Sequence, residues 1–204
     1  MSDPIKIYGI ALSQNVRKPL AVAKHLGIPV ENVAVMPHDP AVTAINPAGR
    51  IPVMDDNGFQ ISESNAIMMH LAEKQPGDLY PQDAAARDQV NAWLFWDTAH
   101  WTPAYQPIQF ERFVKQMLNR GDADEAVVER TTEAFHREAA VLDAALEGRE
   151  WLVGNAPTLA DLAVGAGLTH AKAAQFPIET YQNVCAWNER LGALDCWRET
   201  APQQ

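Results

Sequence analysis

The sequence is poor in cysteine and in basic residues, and both shortages exclude classes of protein. Its two thiols, Cys185 and Cys196, do not form a Cys-x-x-Cys pair, so neither a disulfide framework nor a zinc site is expected. Only 16 lysines and arginines stand against 26 acidic residues, which gives a net charge of −10. Nucleic acids and anionic membranes bind basic patches, so neither is expected as the main partner.

Long apolar segments are also missing. The sequence contains no apolar run of about 18 residues, the length that a membrane-spanning helix requires. The N-terminal residues MSDPIKIY lack the charged and apolar regions of a signal peptide. With 204 residues, of which 47% are hydrophobic, the chain can form one large domain or two small ones. We therefore expect a soluble, cytoplasmic protein.

The first part of the chain, over residues 1–75, alternates strand and helix patterns. Alternating apolar residues predict a strand ending at Gly9, and apolar residues at helical spacing predict a helix over 16–26. A second strand is predicted after Pro29, then a helical turn, a hairpin around Asn57-Gly58 and a helix. The order β-α-β-α-β-β-α predicts a small α+β domain with a mixed sheet.

Strand patterns disappear in the second part of the chain. A linker rich in turn-forming residues is predicted over 76–83, and residues 84–204 are predicted to form an all-α domain. Its first helix is expected over 84–118, with a kink or an interruption at Pro103 and Pro107.

A helix-opening box is found further along, where Thr158 precedes Asp161 by three residues. The helix that follows, predicted to reach about Ala173, is apolar on all sides, which is typical of a helix buried among others. We expect Thr158 and Asp161 to be structural. A last helix is predicted over 181–191.

The stretch 46–74 carries the chemistry of the first domain. It begins with Asn-Pro-Ala-Gly-Arg-Ile-Pro-Val, in which Pro52 lies inside a short apolar run, and it continues to Glu63-Ser64 at the start of a helix. The free N–H groups and the dipole of a helix N-terminus favour carboxylates or phosphates. The stretch therefore predicts an anion site beside a strand that contains a proline.

Three motifs together resemble the glutathione transferase family. The first is the Asn46–Val53 stretch followed by Glu63-Ser64-Asn65-Ala66-Ile67. The second is Gly154-Asn155 followed by the Thr158–Asp161 box. The third is Ser13 followed by Arg17, which is similar to the serine-type theta and phi classes. The resemblance covers nearly the whole chain in order. It implies a thioredoxin-like glutathione-binding domain, a helical-bundle domain, glutathione as co-substrate, no metal, and a homodimer.

Within this resemblance, Ile51-Pro52 is expected to be a cis peptide that turns the backbone of Ile51 toward glutathione. The alternative is an ordinary proline of an edge strand. Ser64 and the N–H groups of its helix would bind the γ-glutamyl carboxylate, and Glu63 would pair with the α-ammonium group. Alternatively, both residues are helix caps. Arg50 would reach a glutathione carboxylate or lie in solvent.

His38 and Ser13 complete the glutathione site that the resemblance implies. His38 would face the glycyl carboxylate, although a single loop histidine is often only solvated. Ser13 is the candidate for activating the thiol by a hydrogen bond, and its alternative role is that of a helix cap. Asn15 and Tyr8 are the other candidates, and the absence of a cysteine in this loop argues against disulfide exchange.

The second substrate is expected to meet the glutathione sulfur between the two domains. The candidates for its pocket are the polar and aromatic side chains of the first long helix, and the alternative is that most of the tryptophans belong to the core. These candidates are Trp96, His100, Trp101, Tyr105 and Phe110.

Three functions follow from this sequence. The first is a detoxifying glutathione transferase that conjugates a small hydrophobic electrophile. The second is another glutathione-dependent enzyme on the same scaffold, namely an isomerase, dehalogenase, ether-cleaving lyase or peroxidase. The third is a non-catalytic binding module, against which the retention of a complete set of glutathione-site residues argues.

Overall fold

The computed structural model describes residues 4–202 and begins with a four-stranded mixed sheet in the order β2-β1-β3-β4. Strand β1 is parallel to β2 and antiparallel to β3, and β3 forms a hairpin with β4. The predicted order and the thioredoxin-like fold are confirmed. The elements are β1 (Ile5–Tyr8), α1 (Gln14–Leu26), β2 (Val30–Val33), α2 (Pro40–Thr43), β3 (Val53–Asp56), β4 (Phe59–Ser62) and α3 (Ser64–Lys74).

The remaining elements are helical. Among the residues described, none of these helices is long and apolar enough to cross a membrane. They are α4 (Ala84–Trp96), the π-helical segment π1 (Asp97–Trp101), α5 (Thr102–Gln109), the π-helical segment π2 (Phe110–Val114), α6 (Lys115–Met117), α7 (Glu125–Ala145), α8 (Leu159–Ala166), α9 (Gln182–Gly192) and α10 (Asp195–Glu199).

The chain packs as two compact units. The first contains the residues up to Arg87 together with those from Gly192 onward, and the second contains Asp88–Leu191. The domain boundaries at 76–83 remain a prediction, and the packing groups the C-terminal residues differently from that prediction.

Local signals in the first unit explain its elements. Helix α1 ends at Gly27, whose φ of 68° is left-handed and places its N–H toward the last helical carbonyls. The β3-β4 turn places Asn57 and Gly58 at positive φ, as this pair permits. Helix α1 packs on α3, and the apolar side chains of β1 alternate into the core, with Ile5 and Ile7 buried.

A buried carboxylate ties the β3-β4 hairpin to α3. Asp56 accepts hydrogen bonds from His70 Nε2 at 2.9 Å, from the Lys74 ammonium and from Asn57 Nδ2 at 3.0 Å. Burial raises the pKa of Asp56, but these hydrogen bonds outweigh it and lower the pKa to about 2. The ring of Phe59 stacks on His70 with 4.9 Å between ring centroids.

Of the two outcomes predicted for Pro103 and Pro107, a kink or an interruption, the structure contradicts the interruption. Residues 84–117 are helical throughout. Proline has no N–H to donate, and its ring crowds the carbonyl four residues earlier. The helix changes to π-helical pairing in π1, just before Pro103, and in π2, shortly after Pro107. A π-helical turn accommodates an additional residue and changes which carbonyls are paired, so the helix continues.

Helix α8 is shorter than predicted, because it ends at Ala166 instead of Ala173. Beyond it the chain continues in tight turns, in which Leu168 N–H donates to Gly165 O and Ala171 N–H donates to Leu168 O. Glycine is a weak helix former, and Gly167 suits this position because aromatic rings pack directly against its backbone. An added Cβ would lie 2.6 Å from Trp101 Nε1.

The predicted helix-opening box is confirmed at the start of α8. Asp161 is fully buried, and its carboxylate accepts from Leu152 N at 2.9 Å, from Thr158 N at 2.8 Å, from Thr158 Oγ1 at 3.1 Å and from Trp187 Nε1 at 2.9 Å. Burial raises the pKa of Asp161, and the hydrogen bonds oppose that shift. The carboxylate therefore joins three segments of the second unit.

Helix α10 was not predicted, and it packs on α1. The guanidinium of Arg17 lies 3.8 Å from the ring centroid of Trp197, and its Nη2 donates to Trp197 O at 2.6 Å. Burial lowers the pKa of Arg17 to about 10. A surface ion pair of 2.6 Å between Lys24 and Glu199 lies on the same contact. These contacts attach the C-terminal segment to the first unit.

Candidate functional site

The segments that carry the predicted glutathione site leave the sheet at the same end. The strand register pairs Tyr8 with Val53 and Val53 with Ser62. The β1-α1 loop therefore leaves the sheet next to the residues that precede β3 and the residues that follow β4. Strand β2 is parallel to β1, so the segment that carries His38 leaves at this end too.

Ser13 occupies the N-cap position of α1 without acting as a side-chain cap. Its carbonyl accepts from Val16 N at 3.0 Å and from Arg17 N at 2.9 Å, whereas its hydroxyl makes no capping hydrogen bond. The side chain is half-buried. The structure therefore has a hydroxyl beside the N-terminus of a 13-residue helix, where a developing negative charge is favoured.

The loop that leads to Ser13 is fixed by Gly9 and Asn32. The Nδ2 of Asn32, on the neighbouring strand, donates to Ile7 O at 3.0 Å and to Gly9 O at 2.9 Å. Gly9 has a φ of 144°, and an added Cβ would lie 2.5 Å from Val16 Cγ2 and 3.1 Å from Ile51 Cβ. A side chain at this position would separate the loop from Ile51.

The Ile51-Pro52 peptide is cis, as predicted. Pro52 is buried and lies immediately before β3, which is paired with a strand on each side. The alternative of an edge-strand proline therefore does not hold, because β3 is an inner strand. Ile51 is half-buried against Gly9, which joins the segment before β3 to the loop that leads to Ser13.

Glu63 and Ser64 begin α3 as the sequence predicts. Glu63 is the N-cap residue, with a φ of 71°, and its side chain makes no capping hydrogen bond. Ser64 is half-buried in the first turn. The next residue, Asn65, accepts a hydrogen bond through Oδ1 from Lys18 Nζ on α1 at 3.3 Å. The second turn of α1 is thereby connected to the first turn of α3.

The loop before β3 places His38 and Arg50 at the surface. Asn46 Oδ1 accepts from Ala48 N at 3.1 Å, and Asn46 Nδ2 donates to Arg50 O at 3.2 Å. Gly49 is buried at a φ of 67°, its carbonyl accepts from His38 N at 2.8 Å, and an added Cβ would lie 2.1 Å from His38 Nδ1. The glycine of the motif therefore provides space for the imidazole.

The two other candidates for thiol activation occupy different environments. Asn15 is half-buried in the first turn of α1, two residues after Ser13. Tyr8 is half-buried in the middle of the sheet, where β1 pairs with Val33 on one side and Val53 on the other. Tyr8 is therefore part of the strand, as predicted, whereas Ser13 and Asn15 lie at the loop and the helix start.

Trp101 and Tyr105 are core residues of the second unit, which corrects their assignment to the second-substrate pocket. Neither has any exposed surface. Trp101 Nε1 donates to Val164 O at 3.1 Å, and the two rings contact each other at 5.4 Å between centroids. The absence of a side chain at Gly167 allows this packing. Helical spacing cannot distinguish a side chain facing the core from one facing a pocket.

Trp96 and His100 are more accessible than these two residues. Trp96 is half-buried and lies parallel to Trp101 at 5.9 Å between ring centroids, and His100 is exposed. Phe110 is also exposed. A role for these side chains in binding the second substrate remains a prediction.

Known proteins match the chain along nearly its whole length. The family model of the glutathione S-transferase N-terminal domain matches residues 7–79, and that of the C-terminal domain matches residues 98–195. Glutathione S-transferase 3 of Zea mays is 31% identical over 208 residues, which cover 97% of this chain and 93% of the relative. The chain belongs to the glutathione S-transferase family.

Solved structures of other glutathione S-transferases agree with this assignment. A glutathione S-transferase of Xanthobacter autotrophicus Py2 is 31% identical, with a TM-score of 0.82 and 94% of each chain covered. Glutathione S-transferase I of maize, solved in complex with an atrazine glutathione conjugate, is 25% identical, with a TM-score of 0.87 and coverage of 98% of this chain and 97% of the other.

Two residues near the site of this glutathione S-transferase, Lys18 and Asn32, were not predicted from the sequence. Lys18 is 2% exposed, although a lysine in a helix usually indicates a solvated position. Asn32 lies on β2 and donates to Ile7 O and Gly9 O, which are 25 and 23 residues away. No local pattern marks either residue, because their partners are distant in sequence.

Proposed function

We propose that this chain is a glutathione transferase that activates the glutathione thiol through a hydrogen bond from Ser13. The observation that carries the proposal is the half-buried Ser13 hydroxyl, which makes no capping bond although it stands at the N-terminus of α1. In this proposal the hydroxyl donates to the glutathione sulfur, and the N–H end of the helix adds positive potential.

The magnitudes are sufficient without a general base. A free thiol has a pKa of about 8.5, so that roughly 3% is thiolate at pH 7. Lowering this pKa by ~2 units requires about 2.7 kcal/mol. A hydrogen bond to a charged acceptor contributes roughly 1.5–3 kcal/mol, and a helix N-terminus adds roughly 0.3–1 kcal/mol. Ser13 and α1 together therefore supply the required stabilisation.

The remaining contacts bind the peptide. The backbone of Ile51, before Pro52, pairs with the cysteinyl backbone of glutathione like an added strand. Ser64 and the free N–H groups of α3 bind the γ-glutamyl carboxylate, and Glu63 pairs with the α-ammonium group. The glycyl carboxylate faces His38 and Arg50, two exposed side chains. Arg50 directly follows Gly49, whose carbonyl accepts from His38 N.

The second substrate is a small hydrophobic electrophile, and the reaction is the displacement of its leaving group, or addition to it, by the thiolate. The maize relative in complex with an atrazine glutathione conjugate supports this class of reaction. Trp96 and His100 are the candidates for contacting the electrophile. Isomerase, dehalogenase, lyase and peroxidase activities use the same glutathione site and are tested by substrate profiling.

The proposal includes a cytoplasmic homodimer, as the family resemblance implies. Phe95 on α4 is 75% exposed, and covering such an apolar ring at a subunit contact would be favourable. Light scattering after gel filtration should give the mass of a dimer, and Phe95→Asp should shift that mass toward the monomer. A wild-type mass equal to that of one chain would refute the homodimer.

Retention on immobilised glutathione, followed by conjugation kinetics, tests the proposal. Ser13→Ala should raise the pKa of the enzyme-bound thiol, followed by thiolate absorbance, by about 1–2 units and lower kcat about 10- to 100-fold at neutral pH. Asn15→Ala and Tyr8→Phe are the matched variants. Unchanged turnover in Ser13→Ala would transfer the role to whichever of them loses activity, and a wild type that is not retained would refute the glutathione site.

A further inference from the structure

A lysine is buried between the two helices that begin at the proposed glutathione site. Lys18 of α1 is 2% exposed, and it is the one buried lysine among residues 4–202. An ammonium ion is rarely enclosed in a protein, because it loses its hydration. A buried lysine in this position therefore needs an explanation.

The position of Lys18 relates it to both halves of the site. It lies five residues after Ser13, about one and a half turns along α1. Its Nζ donates to Asn65 Oδ1 at 3.3 Å, and Asn65 directly follows Ser64 in the first turn of α3. The ammonium group thus contacts the first turn of the helix whose N–H groups the proposed function assigns to the γ-glutamyl carboxylate.

The hydrogen bond links the start of α3 to α1. Because its donor is charged, this contact is stronger than one between two neutral groups. It therefore fixes Asn65 and, through the backbone, Ser64 relative to the helix that begins after Ser13.

We infer that Lys18 is a positioning residue of the glutathione site, which strengthens binding of the γ-glutamyl carboxylate by holding Asn65 and the start of α3 in place. This inference rests on the proposed function and extends it to a residue that does not contact the sulfur. It predicts an effect on the affinity for glutathione and not on the chemical step.

Two substitutions separate this role from a purely structural one. Lys18→Met removes the charge and keeps most of the apolar stem. The double variant Lys18→Met/Asn65→Leu replaces both partners by apolar side chains of similar size and introduces no new charge, an exchange that can be nearly neutral for stability. If the contact only holds the fold together, this double variant keeps the wild-type thermal midpoint and binds glutathione normally.

The inference predicts a different result for the ligand. The double variant no longer fixes the first turn of α3 relative to α1, so the KM and Kd for glutathione should rise about tenfold while the thermal midpoint is retained. Lys18→Met should show a similar increase, with kcat at saturating glutathione within about twofold of wild type. Binding of S-methylglutathione, which lacks the free thiol, should weaken by the same factor.

Lys24→Met is the matched control, because Lys24 lies on the same helix but is exposed, with 53% of its side chain accessible. It should keep the wild-type Kd. A wild-type Kd in Lys18→Met/Asn65→Leu overturns the inference even if Lys18→Met fails to fold. Failure of the wild type to bind glutathione refutes the proposed function instead, whereas normal binding in both the wild type and the double variant refutes the role of Lys18 alone.

Discussion

Several helices of this protein begin with an acidic side chain. Among these side chains, Asp161 is the one whose truncation should destabilise the protein most. Asp161→Ala deletes the acceptor of four hydrogen bonds and leaves the N–H groups of Leu152, Thr158 and Trp187 without it. These three residues are themselves buried, so water cannot readily replace the carboxylate.

The size of the effect follows from these donors. Each buried donor that loses its acceptor costs about 1–3 kcal/mol, so the three N–H groups would cost about 3–9 kcal/mol. Removal of a buried charge offsets part of this loss, since the raised pKa of Asp161 shows that its ionised form is poorly solvated. We expect a net loss of about 3–5 kcal/mol, which is the usual cost of breaking a buried polar network.

Thermal unfolding followed by circular dichroism measures this loss. For a chain of this length, about 1 kcal/mol corresponds to about 2–4 °C, so Asp161→Ala should melt about 6–20 °C below wild type. Trp187→Phe removes one donor and keeps the carboxylate, and it should cost only about 1 kcal/mol. Glutathione affinity, measured well below the melting temperature, should not change, because none of the four bonds involves the first unit.

Asp143 provides the matched control. It accepts from Asn183 N at 2.9 Å and from Val184 N at 3.1 Å at the start of α9, but it is only half-buried. Water can reach the donors in Asp143→Ala, so the loss should be that of an ordinary cap, about 1 kcal/mol. If Asp161→Ala melts no lower than Asp143→Ala, burial of the donors does not determine the cost and the reasoning is refuted.

Three further perturbations test the first unit. The pKa of Asp56 is about 2, below that of an unfolded aspartate, so its ionised form adds about 2 kcal/mol to the free energy of unfolding. This contribution should be complete above pH ~4 and lost as the pH falls toward ~2. In urea titrations, Asp56→Asn should remove this part of the acid dependence. Gly9→Ala should lower kcat by displacing the loop before Ser13, whereas Gly49→Ala should displace the ring of His38 and raise the KM for glutathione.

Each of these expectations has a result that contradicts it. An acid-unfolding curve of Asp56→Asn parallel to that of the wild type would show that its hydrogen bonds do not stabilise the anion. Gly27→Ala is the control for both glycine variants, because Gly27 also has a positive φ but an added Cβ there would meet no atom within 4 Å. If Gly27→Ala changes the kinetics as much as Gly9→Ala or Gly49→Ala, the kinetic changes result from backbone strain and not from a local clash.

Local patterns in the sequence predict the elements of the first unit and the start of α8. Each of these features arises from residues within one turn or one strand of each other, such as Gly27 at the end of α1 or Thr158 and Asp161 three residues apart. The residues of the motif stretch are also adjacent in sequence, and its predicted cis peptide at Ile51-Pro52 is confirmed.

Features that depend on distant contacts could not be predicted in this way. Lys18 reads as a solvated residue until α3 is placed against it, and its contact with Asn65 spans 47 residues. The end of α8 depends on the rings that meet Gly167, and helical periodicity alone predicts that the helix continues. The side chain of Trp101 faces the core for the same reason, although its spacing also fits a pocket.

The contact of Arg17 with Trp197 has a consequence for folding during translation. The two residues are 180 positions apart, and the whole second unit is synthesised between them. During translation, the first unit therefore lacks α10 until the whole second unit has been synthesised, and the face of α1 that carries Arg17 remains uncovered for that time. The second unit is topologically an insertion into the first, so a cut after Arg87 yields an incomplete first unit.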